Sequence, residues 1–253
     1  SLVAISMAKQ FGWESIFYVG GFAPLLLVPI IWMWLPESKA YLQSKLEAEQ
    51  RSFSIGHILF GEGRIFGTLQ LWVSFFCTLI VLYVLLNWLP TLFANQNFSR
   101  EEINYVQIGF NVGGVIGTLV LGLFLDKLNI KAVVMLIYAG MLAALYALSS
   151  GSELGSIIAA TLACGMFIIG GQGTLYALAG MFYPAAIRGT GVGTAVAVGR
   201  AGSFAGPILA GLILGAGQSS SAVISAAIPV IGVAFVSAFV LVLRFKKTQD
   251  TKA

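Results

Sequence analysis

The sequence has very little charge, since only 9% of its 253 residues are Asp, Glu, Lys or Arg, against roughly 25% in an average soluble domain. It also contains one histidine and two cysteines, which is too few for a disulfide framework or a metal cluster. The cysteines, Cys77 and Cys164, lie in apolar runs, where we expect them to pack as small apolar side chains.

Sequence motifs of enzymes are also missing. The chain has no HExxH, no GxSxG and no GxxxxGK[ST], and no pair of carboxylates lies within an apolar run. These absences argue against catalysis, so we predict that the chain is not an enzyme and uses no cofactor.

Apolar residues are abundant instead. They make up 58% of the chain, and the mean hydropathy is +0.92, so the expected solvent for most of the chain is a lipid bilayer. One crossing needs about 20 apolar residues in a helix, because backbone groups must pair within hydrocarbon. The stretches that qualify are 15–35, 67–93, 103–125, 132–149, 154–183 and 190–243, the last divided by the polar turn at 217–221. The fold class is therefore an all-α polytopic membrane protein.

The basic residues are unevenly placed. If successive loops alternate between the two faces of the membrane, 11 of the 14 lie on one side, two on the other, and Arg200 lies within a span. We predict that the first side is cytoplasmic and that the C-terminus lies there. This bias is a topology signal and gives no reason to expect nucleic-acid binding.

The chain divides at its longest polar interval. Residues 1–35 hold the end of one helix and a second complete helix, and 36–66 form a cytoplasmic linker. Residues 67–243 form a six-helix bundle, and 244–253 form a cytoplasmic tail. Small residues recur on two helix faces of this bundle, which lets helices approach closely and favours helices that slide or rock. These glycines are Gly109, Gly113 and Gly117 on one helix, and Gly202, Gly206, Gly211 and Gly215 on another.

Polar side chains inside the spans are costly and therefore call for a reason. Tyr83, Asn87 and Thr91 share one helix face with Trp88 beside them. Pro90 frees the carbonyl of Leu86 and predicts a kink. Gln107 with Asn111, and Gln172 with Tyr176, repeat an i, i+4 spacing on two further helices. Each pair either makes an interhelical hydrogen bond or lines a polar cavity. We favour the cavity for the four residues Asn87, Trp88, Gln172 and Tyr176, and leave both readings open for Asn111.

Arg200 is the one strong charge within a span, about 15 Å from the expected helix start. An unpaired guanidinium at that depth costs at least about 2.5 kcal/mol, and it matches a carboxylate with two parallel hydrogen bonds. Its partner is then either a substrate carboxylate, or the headgroups and helix carbonyls that a snorkelling arginine reaches.

Several motifs resemble the major facilitator superfamily. The run Gly122 to Lys131 resembles its loop signature G-x-x-x-D-[RK]-x-G-[RK], with Asn129 in place of glycine, and Asn also adopts the positive φ that glycine supplies. Pro36-Glu37-Ser38 and Gly202-x-x-x-Gly206-Pro207-x-x-x-Gly211 are similar to two further motifs of the superfamily. The resemblance implies its fold, with this chain holding the C-terminal six-helix half, helix six and the end of helix five.

Other runs resemble one branch, the aromatic acid:proton symporter family. They are Asn87-Trp88-Leu89-Pro90, Gly170-Gly171-Gln172, and the segment from Phe182 to Gly193 that continues to Gly199-Arg200. This resemblance implies uptake of an aromatic carboxylate with a proton, by alternating access in a bacterial inner membrane. No Asp or Glu occupies the middle of a span, so we expect the proton site in an N-terminal half outside this chain.

The expected roles follow from charge, depth and helical spacing together with this resemblance. Arg200 binds or steers the carboxylate, Trp88 and Tyr176 flank the ring, and the amides of Asn87, Asn111 and Gln172 bond its polar substituents. Residues expected to serve gating or conformational change are Asp126, Lys127, Arg188, Pro90, Gly206 and Pro207. Arg188 also fits a loop arginine that obeys the charge bias. Alternative functions are a facilitator for another organic acid, such as hydroxybenzoate, benzoate or muconate, and a non-transporting membrane subunit.

Overall fold

The structure is a computed structural model that describes Gly12, Glu14–Trp34 and residues 54–249. It separates into two compact units, which divide after Arg51. In the first unit, helix α1 spans Glu14–Trp34 and matches the predicted crossing at 15–35. The PES motif and most of the predicted linker lie outside the described residues.

The second unit is built from helices alone within residues 54–249. A short helix, α2, is followed by six long ones, and these six are long and apolar enough to cross a membrane. Their bounds are α2 Ile55–Phe60, α3 Ile65–Ala94, α4 Arg100–Lys127, α5 Ile130–Ser150, α6 Leu154–Phe182, α7 Arg188–Gly215 and α8 Ser220–Gln249. The predicted all-α architecture and the division near 217 are confirmed, and Gly217 has the positive φ of 78° that this turn needs.

Three local features differ from the expectation. Helix α2 lies inside the predicted linker, and α8 continues for six residues beyond the predicted span end. Asn129, which stands where the loop signature has glycine, does not use the positive φ that asparagine can adopt, since its φ is −61°. Asn129 instead caps α5, because its side-chain oxygen accepts a hydrogen bond from the backbone N–H of Lys131 at 3.0 Å.

The glycine faces bring helices together in two parallel pairs. On α4, Gly113 and Gly117 lie against the backbone carbonyls of Leu162 and Met166 of α6. On α7, Gly202 and Gly206 lie against the backbone carbonyls of Phe76 and Ile80 of α3. Residue numbers rise together in both pairs, so the paired helices run in the same direction. Helix α8 packs against α3 and α5, and α5 packs against α6, which completes the bundle.

The bundle has one end rich in basic residues, which we call the basic end. Here α3 begins, α6 ends, α7 begins and α8 ends, and the guanidinium of Arg244 lies 5.2 Å from the ring centre of Phe66. Short connections make neighbouring helices antiparallel, so the turn between α4 and α5 also belongs to this end. The basic residues that define it are Arg64, Lys127, Lys131, Arg188 and Arg244.

Candidate functional site

Arg200 and Tyr83 meet across the parallel pair α3 and α7. Nη1 of Arg200 donates a hydrogen bond of 2.8 Å to the hydroxyl oxygen of Tyr83. Arg200 lies twelve residues after the start of α7, about 18 Å along its axis and close to its middle. Its guanidinium is exposed, and no carboxylate pairs with it among the described residues. The site therefore holds a positive charge with donors to spare, which suits an anion.

Asn87 extends this polar face by one helical turn. Its side-chain nitrogen donates to the backbone carbonyl of Tyr83 at 2.9 Å, and the residue is exposed. Helix α3 continues through Pro90 as far as Ala94, so the proline does not end the helix, and the kink stays a prediction.

An aromatic pair joins α3 and α6. The ring of Tyr176 on α6 meets the ring of Phe75 on α3 edge to face, with 5.4 Å between centres. Phe75 in turn lies beside Gly199, since a Cβ there would stand 3.2 Å from the Cβ of Phe75. Phe75 therefore contacts Tyr176 of α6 and lies against Gly199, the residue that precedes Arg200 on α7. Tyr176 keeps 39% of its surface exposed, which leaves it open to a ligand.

The sequence analysis placed Tyr83 on the polar face of α3 without giving it a binding role, and it missed Phe75. Phe75, Leu79 and Tyr83 recur on α3 at steps of four residues. An aromatic residue two turns before Tyr83, on the helix that carries Asn87, was the signal that would have identified Phe75.

Gln172 lies one turn before Tyr176 on α6. Only 8% of its surface is exposed, and among the described residues neither its side-chain nitrogen nor its oxygen has a hydrogen-bond partner. A buried amide without partners is rare in folded proteins, so it calls for an explanation.

Two other predicted site residues make contacts of their own. The side-chain nitrogen of Asn111 donates to the carbonyl of Gln107 on its own helix at 2.8 Å, and Asn111 is exposed. Trp88 is half-buried with its ring against α7, where a Cβ on Gly211 would lie 3.4 Å from it. Across the described part of the chain, no hydrogen bond or ring contact joins either of them to Arg200 or Tyr176.

Apart from Pro90 on α3, the residues expected to serve gating lie in two places. Asp126 and Lys127 are exposed in the last turn of α4, and Arg188 donates from Nε to the carbonyl of Tyr183 at 3.3 Å, all at the basic end. Gly206 and Pro207 lie in the middle part of α7, where Gly206 contacts the carbonyl of Ile80.

A cavity of about 540 Å³ opens at the opposite end of the bundle. Its lining is mostly polar and has no charged residue, and the lining comprises Asn95, Gln96, Leu148, Ser149, Gly151, Gln218, Ser219, Ser220 and Ser221. None of the predicted site residues lies there. Within the described residues no group of three potential metal ligands occurs.

Comparison with known proteins identifies relatives over nearly the whole chain. The 3-(3-hydroxy-phenyl)propionate transporter of Escherichia coli is 43% identical over 94% of this chain and 58% of its own length. The 4-hydroxybenzoate transporter PcaK of Pseudomonas putida is 31% identical over 88% of this chain and 56% of its own length. The gallate transporter of the same species is 32% identical over 81% of this chain and 52% of its own length. The chain therefore spans a little over half the length of these relatives.

The family comparison covers every residue. A model of the Major Facilitator Superfamily matches residues 1–206 and, in an overlapping match, residues 94–253. Together with six apolar helices and relatives named as transporters, this match places the chain in a family of transporters and not of enzymes. The chain belongs to the Major Facilitator Superfamily.

Proposed function

We propose that this chain forms part of a secondary active transporter that carries an aromatic carboxylate, such as 3-(3-hydroxyphenyl)propionate, with a proton across a bacterial inner membrane. The single observation that carries the proposal is the exposed guanidinium of Arg200 near the middle of α7, whose partner is a tyrosine hydroxyl and to which no carboxylate of the described residues is bound. An uncompensated charge near the middle of a membrane-spanning helix is costly, and an anionic substrate would supply the counter-ion.

The neighbouring side chains suit an aromatic acid. The edge of Tyr176 beside Phe75 offers an apolar ring surface to an aromatic body, while Arg200 offers two parallel donors to a carboxylate. In this proposal Tyr176 and Trp88 flank the ring, and the amides of Asn87, Asn111 and Gln172 bond its polar substituents. Further support comes from the three relatives described above, which are named as transporters of hydroxylated aromatic acids.

Alternating access would use the two ends of the bundle differently. Asp126, Lys127 and Arg188 at the basic end would act in gating on the cytoplasmic side, in keeping with the positive-inside rule. Pro90, Gly206 and Pro207 would allow α3 and α7 to bend or slide, because proline frees a backbone carbonyl and glycine lets backbones approach. The proton site would lie outside the described residues.

Uptake measurements test this proposal. Proteoliposomes containing the protein that carries this sequence would take up radiolabelled 3-(3-hydroxyphenyl)propionate, faster when the outside is more acidic. Arg200→Gln should lower the uptake rate at low substrate by at least about tenfold, because a charge-assisted contact is lost, and Arg200→Lys should keep part of it. Arg100→Gln, at an exposed position where α4 begins, is the matched control. Normal uptake by Arg200→Gln would remove Arg200 from the mechanism.

A further inference from the structure

Gln172 carries two hydrogen-bonding groups that the described residues leave unpaired. Its side chain is nine-tenths buried, and neither its nitrogen nor its oxygen has a partner in the part of the chain that the structure describes. Burying such an amide without a replacement hydrogen bond is unfavourable, so Gln172 lowers the stability of the apolar bundle unless something binds it. A ligand that satisfies both atoms would recover that cost.

The direction of this side chain follows from its neighbours on α6. Gly170 faces α4, since a Cβ added to it would meet the backbone of Gly117. Gly171 faces α5, since a Cβ added to it would meet the side chain of Met141. Each residue turns the helix by about 100°, so Gln172 points away from both contacts. Tyr176 follows one turn later on nearly the same side, and its ring meets α3. Gln172 thus lies on the side of α6 that carries the aromatic pair.

We propose that Gln172 is a specificity-determining residue that recognises a hydroxyl group on the aromatic ring of the substrate. This inference rests on the proposed function and assigns one group of the substrate, the ring hydroxyl, to one side chain that discriminates between acids with and without it. A primary amide has donors on its nitrogen and an acceptor oxygen, and a phenolic hydroxyl both accepts and donates. One ring hydroxyl therefore satisfies both unpaired groups, whereas a hydrogen atom in its place satisfies neither.

The carboxylate of the substrate is a poor partner for Gln172. A carboxylate only accepts hydrogen bonds, so it would leave the amide oxygen unpaired and facing another negative oxygen. Arg200 on α7 offers the carboxylate a charged donor with two parallel bonds. The two ends of the substrate are thereby assigned to different helices, the acid to α7 and the hydroxyl to α6.

The test compares two acids that differ by one hydroxyl group, 3-(3-hydroxyphenyl)propionate and 3-phenylpropionate. In proteoliposomes, the unchanged protein should prefer the first by on the order of 10- to 100-fold in kcat/KM, because a site built to bond a hydroxyl rejects an analogue without it. Gln172→Met, of similar volume, should bring this ratio towards about one, chiefly by lowering transport of the hydroxylated acid.

Gln70→Met is the matched control. Gln70 lies on α3 and also has a buried amide oxygen without a partner, but it lies near the start of that helix. Its substitution should leave the ratio unchanged. Size-exclusion profiles and thermal midpoints of both variants show whether they fold, and Gln172→Leu gives a second apolar variant if the first does not.

The outcomes separate this inference from the proposed function. If Gln172→Met keeps the preference for the hydroxylated acid, or lowers transport of both acids equally, Gln172 does not recognise the ring hydroxyl. Equal transport of both acids by the unchanged protein overturns the role of Gln172 and leaves the proposed function intact. Transport of neither acid overturns both.

Discussion

The hydroxyl oxygen of Tyr183 lies 2.9 Å from Oγ1 of Thr68, and both side chains are fully buried. The hydroxyl of Thr68 donates its single proton to the backbone carbonyl of Leu59, at 2.7 Å. Tyr183 must therefore be the donor of the bond between the two hydroxyls. This chain of two bonds ties the segment after α6 to the start of α3 and to the short helix α2, so it holds the basic end together.

Removing this hydroxyl should weaken the bundle. Tyr183→Phe leaves the oxygen of Thr68 without its donor in a buried place, so we expect a loss of about 1–2 kcal/mol in the free energy of unfolding. The measurement is thermal unfolding of the purified protein in detergent. Tyr146→Phe is the control, since Tyr146 is 68% exposed on α5, and it should change little. Equal midpoints for both variants would show that the bond contributes nothing measurable.

The same tyrosine should make the stability of the folded protein depend on pH. Burial raises the pKa of Tyr183, an effect that the hydrogen bond with Thr68 and the charge of Arg64 partly offset. A raised pKa means that folding favours the protonated phenol, so this stabilisation is present below the ordinary tyrosine pKa of about 10 and is lost as pH rises through the folded value. Thermal midpoints should fall at alkaline pH, and more steeply for the unchanged protein than for Tyr183→Phe. Parallel pH profiles would contradict this.

Tyr83 should position the guanidinium of Arg200. Tyr83→Phe removes the acceptor of the 2.8 Å bond and leaves the ring, so Arg200 loses its fixed orientation. On the proposed function, KM for the aromatic acid should rise several-fold while kcat changes little, since a hydrogen bond to a charged group is worth about 1.5–3 kcal/mol and part of it remains with solvent. Uptake kinetics measure both constants, with Tyr146→Phe as the control. An unchanged KM would mean that Arg200 needs no help from Tyr83.

The helices themselves were predictable because their signals are local. The apolar runs, the polar turn at 217–221 and the close-packing face that includes Gly202 and Gly206 all follow from neighbouring residues, and the structure bears them out. Helix α2 was not predicted, since a six-residue helix has no apolar run to mark it. The loop signature indicated that Asn129 stands in the place of a glycine, but it did not predict that the side-chain oxygen of Asn129 caps α5.

The partners of the site residues were not predictable from the sequence. The bond from Arg200 to Tyr83 joins residues 117 positions apart, and it depends on how far each helix is rotated about its axis. Spacing on one helix gives neighbours along that helix alone. For the same reason the sequence placed Tyr176 in a cavity wall but did not identify Phe75 as the ring beside it.

The orientation in the membrane is open to a labelling experiment. Gln96 is exposed after α3 and Leu128 is exposed after α4, at opposite ends of the bundle. In a background with Cys77→Ser and Cys164→Ser, we expect a cysteine at position 96 to react with a membrane-impermeant maleimide in intact cells. A cysteine at position 128 should react after the membrane is opened, because the basic end is predicted to be cytoplasmic. The reverse pattern would place the C-terminus outside.

Gly206 should set the distance between α3 and α7. A Cβ there would stand 2.5 Å from the backbone oxygen of Ile80, and a backbone atom moves only if the whole helix does. Gly206→Ala should therefore lower the free energy of unfolding by about 1–3 kcal/mol, the usual cost of overpacking, and it should slow uptake if α7 moves along α3 during transport. Gly193→Ala is the control on the same helix, since an added Cβ there meets nothing within 4 Å. Alanine favours helix over glycine by about 1 kcal/mol, so Gly193→Ala should be neutral or stabilising. If Gly206→Ala behaved like Gly193→Ala in both stability and uptake, the close approach of α3 and α7 would be without consequence.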